Sequence, residues 1–189
     1  MTARNKGRGV SKDEWLATAL GLLSDRGVAA VTVEALAKSL GIAKSGFYWH
    51  FRNRQELLKA LLDYWMGEMT GVITADPEVM ALNPAKRLER TAEMIIDRNL
   101  NRYELAIRQW ALTDPVAARG VSKVNRVRLD VIRRTFAELG FEGDDMEMRT
   151  MLFVCYHSME EAVFKGISRK RRRGMISRRV ALVTQRTSD

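Results

Sequence analysis

Side chains that attack bonds or bind metals are scarce in this chain of 189 residues, which holds two histidines, His50 and His157, and a single cysteine, Cys155. No acidic or cysteine partner stands at ligand spacing from His50. Cys155 and His157 are two residues apart and would fall on different faces of a helix. Cys155 reads as a small core residue. Neither a glycine-rich phosphate loop nor a nucleophile motif occurs. The expectation is a protein that is not an enzyme and uses no metal and no cofactor. The dense cluster of chemically able residues is instead "GIAKSGFYWHF", residues 41–51. Lys44 offers a charge there, Ser45, Tyr48 and His50 offer hydrogen bonds, and Trp49 offers an apolar plane. These are tools for reading another molecule, not for breaking a bond.

The elements that must position this cluster are helical. Ser11 and Glu14 have the spacing of a capping box, and Leu16, Leu20 and Leu23 recur behind them until Gly27. Thr32 is placed to cap a short helix carrying Val33, Leu36, Ala37 and Leu40, which Gly41 ends. A third helix is expected from Lys44 to Phe51. On it Phe47 and Phe51, four apart, would pack inward with Ile42 on Leu36, Leu40 and Leu16. Lys44, Ser45, Gly46, Tyr48, Trp49 and His50 would then point outward. Gly46, unfavourable inside a helix, would allow a phosphate or a base edge to come close. Asn53 and Glu56 suggest a second capping box, before a long helix with Leu58, Leu61, Leu62, Trp65, Met69 and Val72 on one face.

Beyond it, 74–85 reads as a loop. Asn83–Pro84 and Asp114–Pro115 each read as a cap followed by a first-turn proline. Asp144 and Glu147 are expected to open a helix carrying Leu152, Cys155, Met159 and Ala162. A last helix should start near Met175, after a basic run, 169–173, whose default reading is a solvated loop, with DNA and an anionic ligand as the other partners it could take. No strand alternation is evident, so the fold class is all-α, with about nine helices in total. The boundaries expected are an N-terminal domain over residues 1–58 and a second over 59–189.

The net charge of +9 is unevenly spread: residues 1–58 carry +4, residues 59–167 carry −2 and residues 168–189 carry +7. Basic ends on a near-neutral body suggest an anionic partner, DNA above all, with solvated surface charge as the competing explanation. There is no uninterrupted apolar stretch of about 18 residues and too few cysteines for an internal disulfide, and, with no apolar segment after the basic start, no signal peptide is expected. A cytoplasmic protein is expected.

Three helices with a tight turn after the second have the form of a helix-turn-helix. The stretch "TVEALAKSLGIAKSGFYWHFRNRQELLKALL" resembles the DNA-binding domain of TetR-family transcriptional regulators, over about residues 11–62. The resemblance implies a phosphate contact at Thr32, backbone contacts from Tyr48 and His50, and a phosphate contact at Arg54, where the family often has lysine. It places Lys44 and Ser45 at base edges and Trp49 against a base methyl or sugar. Ala43 departs from the family's usual Ser or Thr cap.

For the remainder, the resemblance implies a helical domain that dimerises through its last two helices and encloses an effector pocket. Trp65, Met69, Met94, Arg98, Trp110 and Tyr156 are the candidate pocket residues, with His157 as a further polar group. The function so implied is a homodimeric repressor of a palindromic DNA operator, released by a small-molecule effector. The alternative is a DNA-associated structural or partner-binding protein that makes nonspecific basic contacts and takes no effector.

Overall fold

The computed structural model describes residues 9–74, 76–164 and 166–186, with the backbone alone for 72–74. The side chain of Val72 and residues 1–8 of the expected first domain therefore lie outside the described residues. The described residues form ten α-helices and three short 3-10 segments, with no strand among them. The chain divides into two compact units, Met1–Trp65 and Met66–Asp189.

In the first unit, α1 spans Lys12–Arg26 and begins with a closed capping box. Glu14 N donates to Ser11 Oγ at 3.3 Å, and Ser11 N donates to Glu14 Oε2 at 2.8 Å. Its buried face is Trp15, Leu16, Ala19, Leu20 and Leu23. Helix α2, Val33–Leu40, starts where Thr32 Oγ1 accepts from Ala35 N at 3.2 Å. It ends at Gly41, whose left-handed backbone (φ 66°, ψ 36°) suits a residue without Cβ. Helix α3, Arg54–Thr74, begins in this unit, capped by Asn53 Oδ1, which accepts from Glu56 N at 2.9 Å, and its residues from Met66 on belong to the second unit. The second capping box does not close as expected, because the Glu56 carboxylate accepts from Arg52 N at 2.8 Å instead of from Asn53.

The third helix differs from its expectation. Residues Lys44–Trp49 form a 3-10 segment with no side-chain cap at Ala43. Without a capping oxygen, and with Gly46 inside, the segment takes the tighter i→i+3 bonds, and one i→i+4 bond, Phe51 N to Phe47 O, closes it.

In the second unit, α4 (Pro77–Met80) interrupts the stretch expected as a loop, its first amides held by Asp76. Helix α5 covers Pro84–Asp97, α6 Glu104–Ala111, α7 Pro115–Glu138, α8 Gly143–Val163, α9 Arg169–Gly174 and α10 Ile176–Thr184. Asn83 and Asp114 cap α5 and α7 ahead of their first-turn prolines. The core joins Leu88, Ala92 and Ile96 of α5 to Ile132 and Phe136 of α7, Phe153 of α8, and Ile176 and Val180 of α10.

Two expectations fail on α8. Its N-cap is Glu142, with no side-chain cap bond, and Glu147 is drawn off by an ion pair with Arg133. Its apolar stripe is also turned outward: Cys155 is exposed and Leu152 is 54% exposed, alongside Met148, Met151 and Val163. The face that packs inward instead carries Phe153, His157, Ser158 and Glu160. The basic run is not a solvated loop either. It folds as α9 behind Ser168, whose Oγ accepts from Arg171 N. Arg172 is buried against Glu160 (3.3 Å), which also receives Arg179 at 2.6 Å. Burial opposes ionisation of Glu160, but the hydrogen bonds and charges of the two arginines outweigh it and hold the carboxyl below its ordinary range.

Candidate nucleic-acid interface and effector cavity

Phe47 anchors the 3-10 segment. It is fully buried, edge-on to Trp15 at 5.5 Å and stacked at a tilt on Phe51 at 5.3 Å. With the segment pinned on that side, its other aromatics have nowhere to go but outward: Tyr48 is 62% exposed and Trp49 86% exposed. Large aromatics this far into solvent are not part of the buried core. Lys44 and Ser45 are exposed beside them. Lys44 Nζ donates to Glu34 Oε1 at 2.8 Å, and that hydrogen bond lowers the Glu34 carboxyl from its ordinary pKa.

Other residues expected at this surface have partners within the unit. Gly46 is turned toward the core: a Cβ there would meet Ile42 Cδ1 at 3.4 Å and Trp15 at 3.9 Å. Thr32 is engaged as the cap of α2. His50 Nε2 donates to the carbonyl of Val10 at 2.8 Å, fixing the chain just before α1. Arg54 donates from Nε to Val31 O and from Nη2 to Val28 O, each at 2.6 Å.

The second unit holds a cavity of about 30 Å³ lined by Met69, Ile95, Leu100, Ile132, Phe153 and Val154, with Thr91, Asn101, Arg128, His157 and Ser158 as its polar part. Of the six pocket candidates read from the sequence, Met69 lines it. Met94 and Trp110 are buried elsewhere, Trp110 donating to Asp114 Oδ2, and Trp65 belongs to the first unit. Arg98 is exposed, and the Tyr156 hydroxyl is taken up by Glu160 and Arg179. Size suggested these residues, whereas direction decides. The further candidate His157 does line the cavity. Asn101 and Arg128 were not foreseen; the only sequence signal for them is a polar residue at a position otherwise kept for the core.

The polar wall is ordered by ion pairs. Arg128 forms a fork with the buried Glu104 carboxylate, Nη1 to Oε1 and Nη2 to Oε2 at 3.0 Å each, and Nη1 also donates to Ser158 Oγ. Burial pushes the His157 imidazole down to about 4, against the hydrogen bond to Phe153 O that works the other way. Among the described residues, no group of three His, Cys, Asp or Glu side chains is placed to hold a metal ion.

Residues 16–61 match the family model described as "Bacterial regulatory proteins, tetR family". The uncharacterized HTH-type transcriptional regulator YerO of Bacillus subtilis is 30% identical over 77 residues, 41% of this chain and 27% of that one. The tetracycline repressor protein class A from transposon 1721 of Escherichia coli is 44% identical over 50 residues, 26% of this chain and 23% of that one. The matched stretch thus spans about a quarter of the length of these relatives. Across the whole fold, a crystal structure of AibR in complex with isovaleryl coenzyme A and operator DNA superposes with a TM-score of 0.70. It covers 90% of this chain and 96% of its own at 18% identity, a likeness of fold. The family match is confined to residues 16–61, the helix-turn-helix region and the start of α3, whereas the likeness of fold extends over nearly the full length.

Proposed function

We propose that this protein is a homodimeric transcriptional regulator that acts in the cytoplasm. It represses from a palindromic operator and is released when a small molecule occupies the cavity of its second unit. The observation that carries the reading is the outward display of Tyr48 and Trp49 beside Lys44 on a segment locked from behind by Phe47 and Phe51. Lys44 and Ser45 read base edges, Trp49 meets a base methyl or sugar, and the Tyr48 hydroxyl meets a phosphate. Thr32, His50 and Arg54 hold this surface in position through the bonds described above. Printed names support the reading, one relative being a tetracycline repressor and one protein of like fold being in complex with isovaleryl coenzyme A and operator DNA.

The exposed stripe of Met148, Met151, Leu152 and Val163 along α8 supplies the apolar face a two-fold dimer needs. No helix among the described residues is long and apolar enough to cross a membrane. Release requires the effector to bind better in the geometry that does not fit the operator.

Selection of binding sites from a random DNA library tests the reading. Enrichment of an inverted repeat supports it. Equal binding to all sequences, falling uniformly with salt, would favour a DNA-associated protein with nonspecific basic contacts.

A further inference from the structure

The polar wall of the cavity contains two atoms whose chemistry is fixed by their neighbours. The terminal atom of Asn101 that lies 3.2 Å from the His157 carbonyl must be the donor Nδ2, because a carbonyl only accepts. Its Oδ1 is then the atom left over, and it is buried without a partner. By the same logic Nδ1 of His157, 2.8 Å from Phe153 O, carries the ring proton. Nε2 is therefore a bare lone pair, likewise buried and unpartnered, on a residue 3% exposed. Asn101 donates to the main-chain carbonyl of His157, and both residues line the same cavity. Buried acceptors without partners are costly, and any group that supplies N–H or O–H there recovers the loss.

Charge narrows the choice. Among the described residues that line the wall, Arg128 alone is charged, and its fork is already committed to Glu104. A cationic ligand would face Arg128 with no carboxylate on the wall to answer it. An anionic ligand would press its oxygens against two lone pairs. The remaining wall is apolar, and Met69 is a side chain that can repack around a guest larger than the present space.

We infer that the effector is an uncharged, mainly apolar molecule carrying a hydrogen-bond donor, such as a phenol, alcohol or primary amide, received at His157 Nε2 and Asn101 Oδ1. This deepens the proposed function and rests on it for the word effector, but not for the binding itself.

The test uses the full chain and ligands of one outline: phenol, toluene, benzoate and benzylammonium, with affinities from thermal shift and calorimetry. Phenol should bind about tenfold tighter than toluene, the weight of one hydrogen bond. Benzoate and benzylammonium should bind more weakly than either. His157→Phe, which keeps a ring against Phe153, should bring phenol to the level of toluene, and Asn101→Leu should narrow the gap. The inference is overturned if phenol does not bind, if phenol and toluene bind alike, if either ion binds best, or if H157F and N101L both keep the phenol preference. Gel shifts on selected DNA sites, with and without phenol, keep the two readings separate. A phenol preference in a protein that selects no DNA site would refute the regulator and leave the ligand class standing. Site-specific DNA binding with no phenol preference would do the reverse.

Discussion

Arg54, in the first turn of α3, donates its Nη2 to the carbonyl oxygen of Val28 at 2.6 Å, and its Nε reaches Val31 O at the same distance. One guanidinium thus ties the start of α3 to the turn that feeds α2. Arg54→Ala should lower unfolding stability by about 2–4 kcal/mol, since charged hydrogen bonds are lost to half-buried carbonyls. Arg54→Lys should recover only part, because an ammonium cannot match the fork. Urea denaturation followed by circular dichroism measures both. Unchanged stability with lost DNA binding would instead make Arg54 a phosphate contact.

Lys44 is held by Glu34 across the face proposed for DNA. Lys44→Ala should weaken binding to a selected site and reduce the dependence of log affinity on log salt by about one unit. Glu34→Gln should strengthen binding severalfold by freeing Lys44 and removing a negative charge from the phosphate path. Tyr48→Phe should weaken binding without changing the melting temperature. Fluorescence anisotropy over a salt series gives all three answers.

The buried His157 makes stability depend on acid. In the unfolded chain the imidazole takes up a proton near its ordinary 6.5, whereas in the fold it does so near 4. The unfolded state therefore binds more protons between these values, and stability is lost as pH falls through that window, by about 3 kcal/mol at its lower end. The difference between wild type and His157→Phe in denaturation midpoints from pH 7 to pH 4 isolates this residue from the carboxylates. A difference that stays flat would place the imidazole in water.

Glu104 sits between Arg108 and Arg128 and is 1% exposed. Glu104→Leu should cost about 3–5 kcal/mol, because it strands a buried guanidinium. Adding Arg128→Met should restore much of that loss. Chemical denaturation of the two variants decides it, and a double variant no better than the single would break the pairing.

Leu152→Glu on the exposed face of α8 should leave the fold intact and turn the proposed dimer into a monomer, seen by sedimentation. An unchanged mass would move the interface elsewhere.

The caps show what the sequence makes legible. Ser11, Thr32, Asn83 and Asp114 each act within three residues of themselves, so their roles can be read from spacing alone. Arg172 could not be read that way: its partner Glu160 is twelve residues away, and without it five cations in a row look like solvated loop. Periodicity found a stripe on α8 but not its direction, because a helix with one apolar and one mixed face packs according to what its neighbours offer. Here Arg172 and Arg179 were waiting for Glu160, and Leu152 and Cys155 were left outside. The outward turn of Lys44, Ser45, Tyr48 and Trp49 was legible as a group, since a buried Phe47 forces its neighbours out. Which of the residues expected beside them brace the unit was not, since His50 and Arg54 act on carbonyls tens of residues back.

The 3-10 form of Lys44–Trp49 sets a limit on information. Six residues at about 2 Å of rise each extend roughly 12 Å, which spans three or four base pairs at about 3.4 Å per step. A half-site that short distinguishes on the order of a hundred sequences, while a genome offers about a million or more competing sites. Two copies reading an inverted repeat multiply their discrimination instead of adding it, so the outward stripe on α8 would contribute as much to addressing as any residue that touches a base.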